Sequence, residues 1–201
     1  MINRFKGKKV FLKKGIKHLD LSRINNISCL VDAFNSTSFQ SRNLGACSKV
    51  LEKMLGDKTT TIFLGLSGAL IPAGMKKVIC DMISKRVIDV IVSTGANLSH
   101  DFYESMGNIH YIGGNNADDN MLNDLNIDRI YDTYADDIRF TKTELFFLKY
   151  SDQLEDRSYS TREFFYELGK SMKRTDSIIR TSYEHGVPTD WPPLNWTKTG
   201  L

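Results

Sequence analysis

Polar groups that could bind a ligand are concentrated in two short glycine-containing turns. The first turn lies in FLGLSGALIPAG, where Gly65, Ser67 and Gly68 come at the end of an apolar run. The second lies in VSTGANLSHD, where Thr94 and Gly95 follow another apolar run. Backbone amides at the start of a helix, helped by nearby hydroxyl groups, can hold the phosphates of a nucleotide. The two turns therefore indicate a candidate site for a nucleotide cofactor.

A simpler interpretation of both turns remains open. Glycine, serine and threonine are common between a strand and a helix because they suit tight backbone turns. Neither turn matches G-x-G-x-x-G, the pattern of the usual dinucleotide-binding loop. The residue pattern alone does not decide between a cofactor site and plain turn geometry.

The turns are positioned by two short apolar strands, predicted at 59–65 and 87–93. The first is followed by a predicted helix over 69–85, with Pro72 in its first turn, and the second by a helix that Asn97 could cap. Nearly continuous apolar strands that alternate with helices are typical of a parallel sheet covered on both faces. The predicted fold class is therefore α/β. Ligands of such sheets bind beyond the carboxyl ends of the strands, so we expect adjacent parallel strands whose turns face one crevice.

The rest of the chain is predicted to form one domain with these elements. Further helices are expected at 42–57, 97–107, 136–153 and 161–184, and strand-like segments at 109–113 and 127–132. The aromatic residues of FFLKY and REFFYEL are interpreted as core residues rather than as a platform for stacking bases.

Composition narrows the class of protein. The 201 residues carry 27 Lys and Arg against 24 Asp and Glu, and a net charge of +3 gives no reason to expect nucleic acid or a membrane surface as a partner. No segment approaches the roughly 18 apolar residues of a membrane span.

The sequence contains three cysteines, Cys29, Cys47 and Cys80, which lie far apart. An odd number of separated cysteines favours a reducing compartment and buried thiols. His18, His110 and His185 match no metal-ligand spacing, so no metal is predicted, and a soluble, cytoplasmic protein is expected.

Four separated segments carry a resemblance to a known family. They are VDAFNSTSFQSRNLGACSKVLEKML, TIFLGLSGALIPAGMKKVICDMI, IDVIVSTGANLSHD and NIDRIYDTY. In this order and spacing, the chain resembles deoxyhypusine synthase over about residues 19–190, in particular the bacterial and archaeal deoxyhypusine-synthase-like branch.

The resemblance implies a modified Rossmann-like parallel sheet flanked by helices and an NAD-dependent aminobutyl transferase that works as a homotetramer. In that activity NAD takes a hydride from spermidine, 1,3-diaminopropane leaves, and the butylimine passes through an enzyme lysine to an acceptor amine. The acceptor is a lysine of the hypusine-bearing translation factor, or putrescine in relatives that make homospermidine.

The resemblance also assigns binding residues. The family's first NAD loop corresponds to Gly68, Ala69, Leu70, Ile71 and Pro72, and its second to Thr94, Gly95 and Ala96. The polyamine-binding position corresponds to Ser99, His100 and Asp101. Ser99 and His100 stand where the family usually has two glutamates, which removes two carboxylates that would attract a polycation. His100 is expected either to hydrogen-bond an amine or a ribose hydroxyl, or to be a side chain on the helix surface.

The resemblance stops before the family's catalytic half. The family continues with an Asp-containing cofactor loop, whose Asp corresponds to Trp196 here, a polyamine-pocket histidine and a catalytic lysine in a Trp-Gly-Lys setting. Lys198 in WTK lies too early and lacks preceding acidic residues, so no catalytic residue is assigned. Three functions stay open: a truncated or split deoxyhypusine-synthase-like enzyme completed by a second-half chain, a non-catalytic regulatory paralogue, and a homospermidine-synthase-like enzyme.

Overall fold

A computed structural model describes residues 8, 10–173 and 176–190 of the chain. The chain divides into two compact units between Thr60 and Thr61. Each unit is described below by itself.

The first unit contains two helices, α1 (Ile27–Phe34) and α2 (Phe39–Gly56), after a short 3-10 turn at Leu21–Arg23. The helix predicted over 42–57 is therefore confirmed, with its start at Phe39. Gly45 packs against Asn35 after α1, and a Cβ at Gly45 would come within 2.9 Å of Asn35 atoms. Gly45 is the buried residue of α2, whereas most apolar side chains of this helix are exposed and Met54 is partly buried.

The second unit is built on a parallel sheet. Its strands are β1 (Phe63–Leu66), β2 (Val90–Ser93) and β6 (Thr189–Asp190), in the order β1-β2-β6. Both pairings are parallel, and Leu66 at the end of β1 is in register with Ser93 at the end of β2. The prediction that the first two strands are adjacent and parallel is confirmed, as is the α/β fold class.

A second, antiparallel sheet was not predicted. It contains β3 (Tyr111–Ile112), β4 (Ile127–Ile130) and β5 (Thr133–Asp136), in the order β3-β5-β4. The strand-like segments at 109–113 and 127–132 therefore do not belong to the parallel sheet. The reason is a tight reversal after β4, where Tyr131 has φ 56° and returns the chain directly into β5.

Six helices complete the described part of the second unit. They are α3 (Lys76–Ser84), α4 (Gly95–Ser105), α5 (Asp119–Asp124), α6 (Asp137–Ser151), α7 (Thr161–Ser171) and α8 (Ile178–His185). The helical prediction for 161–184 is confirmed, but the region contains two helices, α7 and α8, with a break between them. Met172 leaves helical geometry with ψ 135°, and Ser177 caps a new helix by accepting a hydrogen bond from the amide of Arg180.

The core of this unit lies between α4, α6, α7 and α8. Its buried members are Leu98, Phe102, Phe165, Leu168, Met172 and Ile179, with Phe147, Tyr150 and Phe164 packed against them. This confirms that the two aromatic stretches contribute to the core. Gly169 allows α7 and α8 to approach closely, because a Cβ there would lie 2.8 Å from the carbonyl oxygen of Ile179.

The prediction of three buried cysteines is wrong. Cys29 and Cys47 are exposed, and Cys80 is partly buried. Apolar spacing along a helix shows which residues share a face, but it does not show whether that face is covered. Within the described ranges, no helix has both the length and the apolar character needed to cross a bilayer.

Candidate functional site

The first predicted cofactor turn leaves β1 and stays non-helical for longer than expected. Gly68 and Gly74 have φ values of +69° and +81°, in the left-handed region that favours glycine. Residues 70–74 form a turn between them, and α3 begins only at Lys76. The predicted start of this helix at 69 is therefore wrong, and Pro72 lies in the turn before the helix.

The second predicted turn is the start of α4. Thr94 is the N-cap residue, and its side chain makes no capping hydrogen bond to this helix. A helix N-terminus carries unsatisfied backbone amides and a partial positive charge, so this end of α4 is suited to an anionic group. Asn97 is not the cap that the sequence predicted, because it lies inside the helix and is fully buried.

The buried side chain of Asn97 joins the two turns. Its Oδ1 accepts a hydrogen bond from the backbone amide of Leu70 at 2.8 Å, and its Nδ2 donates to Oγ1 of Thr94 at 3.3 Å. The backbone amide of Thr94 donates to the carbonyl of Leu66, at 3.0 Å. The two turns that the sequence singled out are therefore in direct contact at the carboxyl ends of β1 and β2.

A cavity of about 470 Å³ adjoins the second turn. Its walls are mostly apolar, and the residues that line it are Gly95, Ala96, Leu98, Ser99, Phe102, Phe140, Thr143, Glu144, Phe147, Leu148 and Phe165. Three of them, Gly95, Ala96 and Ser99, are sequence-predicted binding residues. Glu144 is the charged residue of this lining, so the cavity suits an aliphatic ligand with a positive end.

His100 is buried, with 9% of its surface exposed, so the alternative of a helix-surface side chain is wrong. Its Nδ1 lies 3.0 Å from Nε2 of His110, and its ring meets the edge of the Phe140 ring, with the centroids 5.2 Å apart. Burial, with the neighbouring His110, lowers the pKa of His100 to about 4. His100 is therefore neutral at pH 7.

His110 connects His100 to an ion pair. Its Nδ1 lies 2.8 Å from Oε1 of Glu104, and the other carboxylate oxygen of Glu104 is 2.5 Å from Nζ of Lys76. Burial alone would raise the pKa of Glu104, but hydrogen bonds from His110 and Lys76 outweigh it and keep that pKa below its usual value. The ionised Glu104 accepts the Nδ1 proton of His110. The direction of the hydrogen bond between Nε2 of His110 and Nδ1 of His100 depends on the tautomers of the two rings.

Asp101 is fully buried and faces the start of α8. Its carboxylate accepts hydrogen bonds from Oγ of Ser177 at 2.7 Å and from the amides of Ile178 and Ile179 at 2.9 and 3.1 Å. Burial raises its pKa to about 6, although these three bonds oppose the shift. The carboxylate is occupied by α8, and a role for Asp101 in substrate binding stays a prediction.

Sequence reasoning missed His110, Glu104 and Lys76. Glu104 follows His100 by four residues, so their common helix face was a signal that could have been used. His110 and Lys76 come from other segments, and nothing in their spacing indicated the contact. Trp196 and Lys198 lie outside the described residues. Over the described ranges, no group of three or more His, Cys, Asp or Glu side chains is arranged to hold a metal ion.

The fold and the site define an α/β protein with a candidate ligand site at the carboxyl ends of two adjacent parallel strands. The family model for deoxyhypusine synthase matches residues 29–201. The chain belongs to the deoxyhypusine synthase family.

Comparison with individual proteins supports the same family assignment. The chain is 44% identical over 204 residues to a "Deoxyhypusine synthase-like protein" of Elusimicrobium minutum, covering 98% of this chain and 54% of that protein. It is 40% identical over 180 residues to "Probable deoxyhypusine synthase 2" of Methanosarcina acetivorans, covering 88% and 52%. A crystal structure from Entamoeba histolytica that carries the deoxyhypusine synthase name shares the fold, with a TM-score of 0.62 and 18% identity over 89% of this chain and 62% of that one. The chain spans about half the length of the curated relatives it matches.

Proposed function

We propose that this chain is the cofactor-binding part of an NAD-dependent, deoxyhypusine-synthase-like enzyme. The complete enzyme transfers the aminobutyl group of spermidine to a lysine of the hypusine-bearing translation factor. The observation that supports this proposal most strongly is the hydrogen bond between Asn97 and the amide of Leu70, which holds the two predicted NAD turns together.

The residues of the two turns fit the phosphates of NAD. The N-terminus of α4 has no side-chain cap, so its first amides can be directed at an anion. At Gly68 the position of a Cβ is open, with nothing within 4 Å, so a ligand can approach the backbone there. Residues 68–72 and 94–96 would hold the cofactor. NAD, when bound, would accept a hydride from an amine-bearing carbon of the substrate and later return it.

The cavity beside the second turn fits the polyamine. Its phenylalanine rings would contact the methylene chain, and Glu144 would attract an ammonium group. Phe140 lines this cavity and also contacts His100. The neutral ring of His100 would hydrogen-bond a substrate amine or a ribose hydroxyl, at the position where the family has a glutamate.

The nucleophilic lysine would come from the part of the family's length that this chain does not span. An imine-forming lysine needs a neutral amine near the cofactor, usually obtained by desolvation or by neighbouring charge. We therefore expect this chain alone to have no transferase activity and to bind NAD weakly. The complement would correspond to the half of the family's length that this chain does not span, within the family's homo-oligomer.

The test is complementation. The chain is co-expressed with the carboxy-terminal half of the Elusimicrobium minutum relative, and each preparation is incubated with NAD, spermidine and the acceptor protein. We expect 1,3-diaminopropane and aminobutylated acceptor from the pair, and neither from the chain alone. Product from the chain alone would contradict the proposal. A stable pair that forms no product would contradict it too, and would favour a regulatory paralogue; product with putrescine as the only working acceptor would favour a homospermidine-forming enzyme.

A further inference from the structure

Three titratable side chains form a continuous hydrogen-bonded chain beside the candidate cavity. Nδ1 of His100 lies 3.0 Å from Nε2 of His110, and Nδ1 of His110 lies 2.8 Å from Oε1 of Glu104. His100 and Glu104 come from α4, whereas His110 comes from the segment before β3. The ring of Tyr103 packs on that of His110, with the centroids 5.1 Å apart. Titratable groups in hydrogen-bond contact can pass a proton along the whole chain.

One end of this chain adjoins the cavity. His100 follows Ser99, and its ring meets the edge of the Phe140 ring; both Ser99 and Phe140 line the cavity. Nε2 of His100 has no hydrogen-bond partner among the described residues. This nitrogen is therefore available to a ligand group at the cavity.

The other end of the chain reaches the protein surface. The side chain of Glu104 is 18% exposed, and its carboxylate pairs with Nζ of Lys76. Nζ of Lys76 lies 3.8 Å from Oδ2 of Asp176, whose side chain is 51% exposed. The contacts run from the cavity to solvent, so a proton that enters at His100 can leave the site without water entering the cavity.

The proposed amine substrate needs such a route. A carbon next to a nitrogen gives up a hydride only when that nitrogen has a free electron pair, and an ammonium group has none. An alkylammonium group resembles that of lysine, which loses its proton only near about pH 10. At pH 7 the site must therefore take one proton from the substrate before the hydride leaves.

A single histidine would be a poor acceptor for this proton. Burial lowers the pKa of His100 to about 4, so a positive charge on this ring is unfavourable. His110 lies between His100 and the carboxylate of Glu104, and an adjacent negative charge favours the charged form of a histidine ring. The positive charge is therefore more stable on His110 than on His100.

We propose that His100, His110 and Glu104 form a proton relay that removes the proton of the substrate ammonium group before hydride transfer. In the resting state His100 carries its proton on Nδ1, toward His110, and its Nε2 is unprotonated. The N–H bond of the ammonium group breaks, its electron pair stays on the substrate nitrogen, and the proton binds Nε2 of His100. The Nδ1 proton of His100 moves to Nε2 of His110, which becomes an imidazolium ion beside the Glu104 carboxylate.

The three residues have different roles in this step. His100 is the catalytic residue, because it touches the substrate, and His110 and Glu104 are positioning residues that act through it. This inference rests on the proposed function and assigns one of its steps to residues of this chain.

The first test needs neither NAD nor amine. In the chain labelled with ¹⁵N in its histidine rings, NMR shows which ring nitrogen carries the proton. At pH 7 we expect His100 to be protonated at Nδ1 alone in the wild type, and His110→Gln to change the ring signals of His100. His18→Gln, at an exposed position, is the control and should leave these signals unchanged. Protonation of His100 at Nε2 in the wild type would overturn the proposal, because that nitrogen could not then accept a proton.

The second test measures NADH formation from spermidine by the chain co-expressed with the carboxy-terminal half of the Elusimicrobium minutum relative. His110→Gln and Glu104→Gln should slow this reaction about a hundredfold at pH 7, a typical effect of losing a general base. The loss should shrink toward about pH 10, where the substrate amine loses its proton without help. Glu52→Gln, exposed on α2, is the control and should react as fast as the wild type.

The pH dependence separates a relay from a purely structural role. A loss of rate that is the same from pH 7 to pH 10, or no loss in either variant, would overturn the proposal. If the wild-type pair forms no NADH, the proposed function is wrong, and the ring protonation of His100 then decides for or against the relay by itself.

Discussion

His100 and Asp101 are neighbours on α4, and their pKa values are shifted in opposite directions. Burial lowers the pKa of His100 to about 4 and raises that of Asp101 to about 6. Both shifts have the same physical cause, because burial disfavours the charged form of either group. Between pH 4 and pH 6 the two residues therefore change the stability of the fold in opposite senses.

In the wild type, Asp101 should make the fold less stable as the pH rises. The substitution Asp101→Asn should abolish this pH dependence. The folded state keeps the Asp101 proton up to about pH 6, whereas the unfolded state loses it near 3.8. The free energy of unfolding of the wild type, measured against the variant, should therefore fall between these values by up to about 3 kcal/mol. Urea unfolding from pH 4 to pH 7 measures this difference. Asp124→Asn, at an exposed position, is the control, and a difference that does not vary with pH would disprove the prediction.

His100→Gln should have the opposite effect. The unfolded chain binds a proton at His100 below its ordinary value of 6.5, whereas the folded chain binds it only near 4. The wild type should therefore gain stability relative to the variant as the pH rises from 4 to 6.5. Glu104, His110 and Lys76 are the other titratable groups in this cluster, and the variant leaves them unchanged. His18→Gln, at an exposed position, is the control. An NMR titration in which the His100 ring becomes protonated near pH 6.5 would rule out the expected shift.

Gly169→Ala should separate α7 from α8. Its new Cβ would come within 2.8 Å of both the carbonyl oxygen of Ile179 and the Cβ of Tyr183, and neither neighbour can move without moving the backbone. We expect a loss of about 1–3 kcal/mol in the free energy of unfolding. Gly56→Ala is the control, since a Cβ at Gly56 meets nothing within 4 Å. Equal denaturation midpoints for the two variants would show that the helices tolerate the extra methyl group.

The parts of the fold that could be predicted depend on signals within one segment. β1 and β2 were predictable because each is a short apolar run followed by a glycine-containing turn. The hairpin of β4 and β5 was not, because its reversal needs a positive φ at Tyr131, a residue type that does not signal such a turn. The break between α7 and α8 was missed because the apolar spacing continues across it.

Prediction of the candidate site from the sequence was limited in the same way. The two turns were found from their composition, but the contacts that organise them join residues far apart in the chain. The bond between Asn97 and Leu70 spans 27 residues, and that between Asp101 and Ile178 spans 77. An Asn near the start of a helix is usually predicted to be its N-cap. Only the packing of α4 against residues 68–72 shows that Asn97 instead accepts a hydrogen bond from the amide of Leu70.

Asn97→Ala should loosen the link between the two turns. The substitution leaves the amide of Leu70 without its acceptor and removes the donor to Thr94, so we expect a loss of about 1–3 kcal/mol in stability and weaker NAD binding. Asn116→Ala is the control, because Asn116 is exposed and lies outside both turns. Unchanged stability and unchanged NAD binding in Asn97→Ala would show that this bond does not organise the site.

An NMR titration of the chain with NAD tests whether the two turns hold the cofactor, because it detects weak binding at individual backbone amides. We expect that the amide signals of residues 68–71 and 94–96 shift as NAD is added, and that these shifts are smaller in Asn97→Ala at the same NAD concentration. Amide signals of both turns that stay unchanged at saturating NAD, or shifts confined to residues outside both turns, would contradict it.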